Sequence, residues 1–237
     1  MKDLRFIGKC LLVVEEGKKI LVIGDLHVGY EEAMNNTGVF VSRKMYEEMI
    51  EELERVFDSA GKVDRIVLLG DVKHGFARGT SQEWDELIKL FKFLKEECND
   101  IVILQGNHDN YLMNIANRVS VGVKDYLIVG ETALIHGDSD KVEIYDTRVK
   151  RWIMGHGHPA VRLNDGIKSE SYKCFLVGKF KGKEVVIVPS FFDLQTGTDP
   201  REFELGMAWP FDLNKFEVYV VSEDLKVLEF GKLEKIK

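Results

Sequence analysis

Residues 152–161 read WIMGHGHPAV, with two histidines, His156 and His158, on a glycine-bounded turn that Pro159 closes. Two imidazoles so close on a tight turn can face one cation. Four further segments share this design. ILVIGDLH carries Asp25 and His27, RIVLLGDVKH carries Asp71 and His74, IVILQGNHD carries Asn107, His108 and Asp109, and TALIHGD carries His136. All 6 histidines of the chain fall within these segments. Each is an apolar run that ends in glycine and then a residue able to bind a metal or move a proton.

Taken singly, each segment is weak. A Gly-Asp after a strand is commonplace, and a lone histidine is more often a satisfied core residue. The conjunction carries the reading. Asp25, His27, Asp71, Asn107, His136, His156 and His158 supply mixed oxygen and imidazole donors. One tetrahedral zinc takes only about four. The set suits two ions that share a carboxylate. Its mixed donors favour Mn, Fe, Zn, Co or Ni over Mg or Ca, which prefer oxygen alone.

The elements that would bring these residues together are strands ending at a common edge. In open α/β sheets functional groups gather beyond the carboxyl ends of strands, and glycine lets the chain turn sharply there. CLLVVE, a turn at Gly17 and KILVIGD read as a hairpin. A helix is expected after Ser42, with Met45, Met49, Leu53, Val56 and Phe57 on one face and Gly61 ending it. Thr80 and Glu83 read as a capping box for a second helix, with Trp84, Leu87, Ile88, Phe91 and Leu94 inward. Beyond about residue 120 short strands dominate: YLIVG, TALIH, RWIM, YKCFLVG, EVVIV and a closing hairpin in FEVYVVSEDLKVLEF. A β-α-β-α-β half followed by a mostly β half predicts an α/β fold of two stacked sheets with helices outside.

The chain has 237 residues, 45% of them hydrophobic, which suffices for one large core. A single domain over 1–237 with no separate capping domain is expected. The net charge of −7 provides no whole-molecule field for polyanions and disfavours tight nucleic-acid binding, although a local basic cleft would permit it. No apolar run is long enough to span a bilayer, and the N-terminus lacks a signal-peptide pattern, so a cytoplasmic protein with no membrane partner is expected. Cys10, Cys98 and Cys174 form no C-x-x-C pair and read as buried small hydrophobes. A charged fraction of 31% and the scarcity of glutamine point to a thermophilic source.

In order along the chain, Asp-x-His, Gly-Asp, Gly-Asn-His-Asp, His-Gly and Gly-His-x-His resemble the calcineurin-like metallophosphoesterases. The finer matches GDLHVGYE, LGDVKHGF and GHGHP are similar to archaeal phosphoesterases related to the SbcD-type nuclease. The resemblance implies a four-layer αββα sandwich of two mixed sheets flanked by helices. It implies that Asp25, His27, Asp71 and His158 hold one metal, and that Asp71 bridges to a second completed by Asn107, His136 and His156. His108 would sit by the scissile phosphate, with Asp109 orienting its ring. Many members carry a second aspartate where this chain has VKH, so His74 inherits no role and is left as a substrate-contact candidate. The segment VPSFFDLQTGTDP resembles the family's late loop near the site rim.

The expected activity is hydrolysis of a small or nucleotide-like phosphodiester, by a hydroxide held between two divalent ions with Mn foremost. The alternatives are a nuclease of the SbcD-related type, a phosphomonoesterase, and a non-catalytic scaffold of the same fold. Substrate, oligomeric state and native metals are not written in these motifs.

Overall fold

The structure, a computed structural model, describes residues 3–39, 44–75, 81–164, 166, 168–208 and 210–236. The first half opens with β1 (Leu4–Ile7), β2 (Cys10–Glu15) and β3 (Lys18–Ile23), followed by α1 (Tyr30–Asn36) and α2 (Met45–Ala60). Then come β4 (Arg65–Leu68), α3 (Ser81–Glu97), β5 (Ile101–Leu104), α4 (Leu112–Arg118) and β6 (Gly122–Lys124). These strands form one sheet in the order β1-β2-β3-β4-β5-β6. The pairs from β3 to β6 are parallel, whereas β1, β2 and β3 run antiparallel.

The second half supplies β7 (Tyr126–Val129), β8 (Thr132–Ile135), β9 (Arg151–Met154), β10 (Ala160–Asn164), β11 (Ser169–Phe180), β12 (Lys183–Ile187), β13 (Glu217–Val221) and β14 (Val227–Lys232). Their sheet is ordered β14-β13-β11-β12-β9-β8-β7, with β10 paired to β11. Within it β8, β9 and β12 are mutually parallel. Both sheets are therefore mixed, as expected.

The strand sequences explain the layering. Alternate side chains of a strand point to opposite faces. In the first sheet Leu21, Ile23, Ile66, Leu68 and Ile103 face the helices, where they meet Leu53, Val56 and Phe57 of α2 and Leu87, Phe91 and Leu94 of α3. Their neighbours Ile20, Val22, Val67, Val102 and Leu104 face the second sheet and pack on Leu134, Ile153, Phe175 and Val186. Both faces are covered, which is why the central strands read as unbroken apolar runs rather than as alternating ones. The far face of the second sheet, with Trp152, Met154, Leu176 and Ile187, is covered by Ile144, Leu205, Met207, Phe211 and Leu233 from short 3-10 turns and loops.

Local details refine the expected boundaries. Ser42 and Thr80, expected to open the two long helices, lie outside the described residues. The backbone N–H groups of Lys44 and Met45 donate to the Glu31 carboxylate of α1, each at 2.9 Å, so one helix caps the next. Gly61 ends α2, as its position predicts, with a positive φ of 66° that favours glycine. The three cysteines are buried and free, and burial pushes the Cys10 and Cys174 thiols far up. Among the described residues no helix is long and apolar enough to cross a membrane.

Candidate metal centre

Five parallel strands deliver the polar residues to one place. β3, β4 and β5 of the first sheet lead into Asp25 and His27, into Asp71 and His74, and into Asn107, His108 and Asp109. β8 and β9 of the second sheet lead into His136 and into His156 and His158. The centre therefore straddles both sheets at their carboxyl edges. Four of these residues, His27, Asp71, His156 and His158, have left-handed backbones with φ between 43° and 63°. Non-glycine residues rarely adopt that conformation, and such strain concentrates at functional sites.

Among the described residues two donor groups contain a carboxylate, and a third joins His27, His74 and His108. The first joins Asp25, His27 and His158, and the second joins Asp71, His136 and His156, with the donor atoms of each group within 4.8 Å of one another. His158 Nε2 lies 3.3 Å from Asp25 Oδ1. His136 Nε2 is 3.6 Å from Asp71 Oδ1, 3.2 Å from Asn107 Oδ1 and 3.1 Å from His156 Nδ1. The Asp71 carboxylate also lies 4.0 Å from the Nε2 atoms of both His27 and His108, which places it at the middle of the cluster. All seven residues expected to hold metal converge.

The hydrogen bonds show how the donor atoms are turned. His136 Nδ1 donates to the Leu69 carbonyl at 2.7 Å, so in the neutral ring Nε2 carries the lone pair. That lone pair faces the oxygens of Asn107 and Asp71. A cluster of acceptors turned toward one another needs a proton or a metal ion between them. Asp25 Oδ1 and His27 Nδ1 are likewise buried with no hydrogen-bond partner. These residues fit a pair of divalent ions, and the backbone anchor on His136 is the kind of outer contact that fixes a metal-binding imidazole.

The charged groups of the cluster shift one another: burial lowers His136, but Asp25 and Asp71 outweigh it and hold the ring above its ordinary value. Burial pushes His27 down to about 3 although Asp25 opposes it, which keeps the ring neutral and its nitrogen available. Burial also pushes Asp71 up to about 6, with His136 opposing and the Asp25 charge adding. Asp25 moves the other way. Burial alone would raise it, but His158, His136 and His27 outweigh burial and hold it well below the usual carboxylate range.

One expected contact is absent. Asp109 does not orient the His108 ring. Its Oδ1 accepts from the backbone N–H groups of Val72 at 2.9 Å and Lys73 at 3.3 Å, and its Oδ2 accepts from Gly106 at 2.9 Å. Adjacent side chains in the tight 106–109 turn diverge, and Asp109 is drawn under the loop that carries Asp71. The His108 ring is set instead by the His74 carbonyl, which accepts from Nδ1 at 2.7 Å. His74 thus belongs to the centre through its backbone, and its ring stacks on His108 with centroids 5.4 Å apart. Tyr30 and Phe192, which the motif reading did not single out as site residues, close the rim. Tyr30 lies 4.5 Å from His74 and 4.6 Å from Phe192 between ring centroids, and Phe192 lies 5.5 Å from His27. The late loop is tied in by Phe191 and Phe192, whose N–H groups donate to the Asp25 carbonyl at 2.9 and 3.1 Å.

A family model described as calcineurin-like phosphoesterase matches residues 18–222, which include every residue of this centre. The chain belongs to the calcineurin-like phosphoesterases. Membership makes it a phosphoesterase hydrolase and implies divalent metal ions at the donor groups. No curated protein matches it in sequence. Nuclease MPE of Pseudomonas putida has a similar fold, with a TM-score of 0.64 at 16% identity over 93% of this chain and 99% of that one. Yfce, a phosphoesterase from E. coli, aligns with a TM-score of 0.43 at 14% identity over 90% of this chain and 98% of that one. At 16% identity the likeness to nuclease MPE is one of fold.

Close approach of backbone segments keeps this phosphoesterase centre compact. A Cβ on Gly106 would sit well inside van der Waals contact with the Asp71 backbone nitrogen and Oδ1. Gly106→Ala is therefore expected to displace Asp71 and weaken metal affinity by about 10- to 100-fold, with the far-UV circular dichroism unchanged. Equilibrium dialysis against Mn²⁺ reads this. Affinity within twofold of the parent protein would show that Asp71 is held by other contacts.

Proposed function

We propose that this protein hydrolyses phosphodiesters, small or nucleotide-like, with two divalent ions of which Mn²⁺ is foremost. The carrying observation is that two carboxylate-imidazole donor groups meet in one cluster with the Asp71 carboxylate between them. In this reading Asp25, His27, Asp71 and His158 hold one ion, and Asp71, Asn107, His136 and His156 hold the other. When bound, the ions supply charge neutralisation at the phosphoryl oxygens and acidify a water as nucleophile.

The chain's own groups do the rest. His108 points Nε2 toward the cluster because Nδ1 is occupied by the His74 carbonyl. As the imidazolium, with Nδ1–H kept on the His74 carbonyl, it passes the Nε2 proton to the leaving oxygen and is left as the neutral ring; general acid catalysis requires that oxygen within hydrogen-bond reach. Asp109 acts as a positioning residue. It fixes the 72–73 and 106 backbones and so the spacing between Asp71 and His108. His74 presents its half-exposed ring to the substrate side. Burial, with the neighbouring His108 and Lys73 charges adding, pushes its pKa down to about 4, so near neutral pH it contacts substrate as an uncharged ring.

A nuclease is the second reading, favoured by the fold shared with nuclease MPE and opposed by the net charge of −7. Initial rates with Mn²⁺, Ni²⁺ and Zn²⁺ on bis-p-nitrophenyl phosphate, p-nitrophenyl phosphate and single-stranded DNA decide. The diester is expected to turn over at least about tenfold faster than the monoester with Mn²⁺. A faster monoester would make this a phosphomonoesterase. Endonucleolytic cleavage of the DNA would favour the nuclease, and inactivity with every metal would leave only a scaffold role.

A further inference from the structure

The rim beside His27 and His108 is aromatic, and neither the two carboxylate-bearing donor groups nor the proton transfer uses its rings. Tyr30 and His74 are half-buried rings that meet edge to face, and Phe192 lies beneath them against His27. His74 continues the wall inward by stacking on His108. Tyr30 therefore stands one imidazole further out than the ring placed at the scissile phosphate.

Behind the wall, Leu26, Met45, Met49 and Phe191 line a hollow of about 40 Å³. Glu48, Glu86 and Asp193 also border this side, which repels a phosphate. The wall offers flat, uncharged rings next to His108, and the carboxylates that border its hollow disfavour a second anionic group there.

We infer that Tyr30, with His74 and supported by Phe192, forms a stacking subsite for a nucleobase attached to the scissile phosphodiester. This rests on the phosphodiesterase reading and narrows its substrate class to base-bearing diesters. Stacking suits the site because every base presents a π-face, and no sequence-reading contacts are required. Gln195 Nε2 reaches the Tyr30 hydroxyl at 3.4 Å, so the late loop helps to hold the ring in place.

The test uses the full chain loaded with Mn²⁺ and two small diesters that differ only in the group beside the cleaved bond, a thymidine p-nitrophenyl phosphate diester and its abasic deoxyribose counterpart. Wild type is expected to show a KM for the abasic substrate roughly 5- to 100-fold higher, the range of one base–aromatic stack. Tyr30→Leu keeps apolar bulk without a π-face. It should raise KM for the base-bearing substrate by a similar factor with a far smaller effect on the abasic one, whereas Tyr30→Phe, which keeps the π-face and loses only the 3.4 Å contact from Gln195, should keep most of the discrimination between the two. Thermal melting checks that the variants fold. Equal KM values for both substrates in wild type, or a Leu variant that loses both equally, would overturn the subsite while leaving the diesterase reading intact. Hydrolysis of neither substrate, nor of bis-p-nitrophenyl phosphate, would fail the diesterase reading itself.

Discussion

Asp71→Asn is expected to lower turnover of bis-p-nitrophenyl phosphate on the order of 10³-fold or more. Asparagine keeps the size of the side chain. Its oxygen can still accept the His108 backbone N–H, a contact of 2.8 Å in the parent. The Asp71 carbonyl, which receives the N–H groups of Leu26 and His27, is untouched. What disappears is the negative charge at the middle of the cluster, which the proposed mechanism shares between both ions. Charge stabilisation of this type contributes several kcal/mol, and each 1.4 kcal/mol or so is tenfold in rate. Metal content should fall below two ions per chain in the same samples. Turnover within tenfold of wild type would mean that Asp71 does not bridge.

His108→Ala should behave differently. Turnover is expected to fall about 10²- to 10⁴-fold, the span of general acid catalysis, with metal content unchanged. The size of the loss should depend on the leaving group. A p-nitrophenolate leaves with little help, so the variant should be closest to wild type there. An alkoxide leaving group needs the proton, so the loss should be greatest on a nucleoside or alkyl ester. A uniform loss across leaving groups would remove His108 from proton transfer, and loss of metal would make it a ligand.

Much of this centre could be read from residue types alone, because the physics behind it is local. An apolar run that ends in Gly-Asp, Gly-Asn-His-Asp or Gly-His-Gly-His reports both a buried strand and the turn at its end. Parallel strands then bring their ends together, so Asp25, Asp71 and His136 meet despite their separation along the chain. The layering was legible for the same reason. Runs such as Ile20–Ile23 and Ile101–Leu104 can be wholly apolar only if both faces are covered.

Other features leave no mark in residue identity. The ring of His108 is held by a carbonyl, and any residue at position 74 would offer one. Asp109 follows His108 and invites pairing with it, yet the turn sends its carboxylate to three backbone N–H groups. The short elements α1, α4, β1, β6 and β10 carry too few residues for a periodic pattern to emerge. Tyr30 and Phe192 look like ordinary core aromatics until the fold sets them beside His27 and His74.

The left-handed backbones at His27, Asp71, His156 and His158 bear on any attempt to harden this protein against heat. Each such position costs roughly 1–3 kcal/mol, against a total fold stability of about 5–15 kcal/mol for a typical domain. Replacing any of the four with glycine would relax the chain and discard a donor at the same stroke. Selection for endurance alone would drift toward an inert variant, so a thermally hardened yet active form has to draw its gains from helix ends, exposed charges and loop prolines.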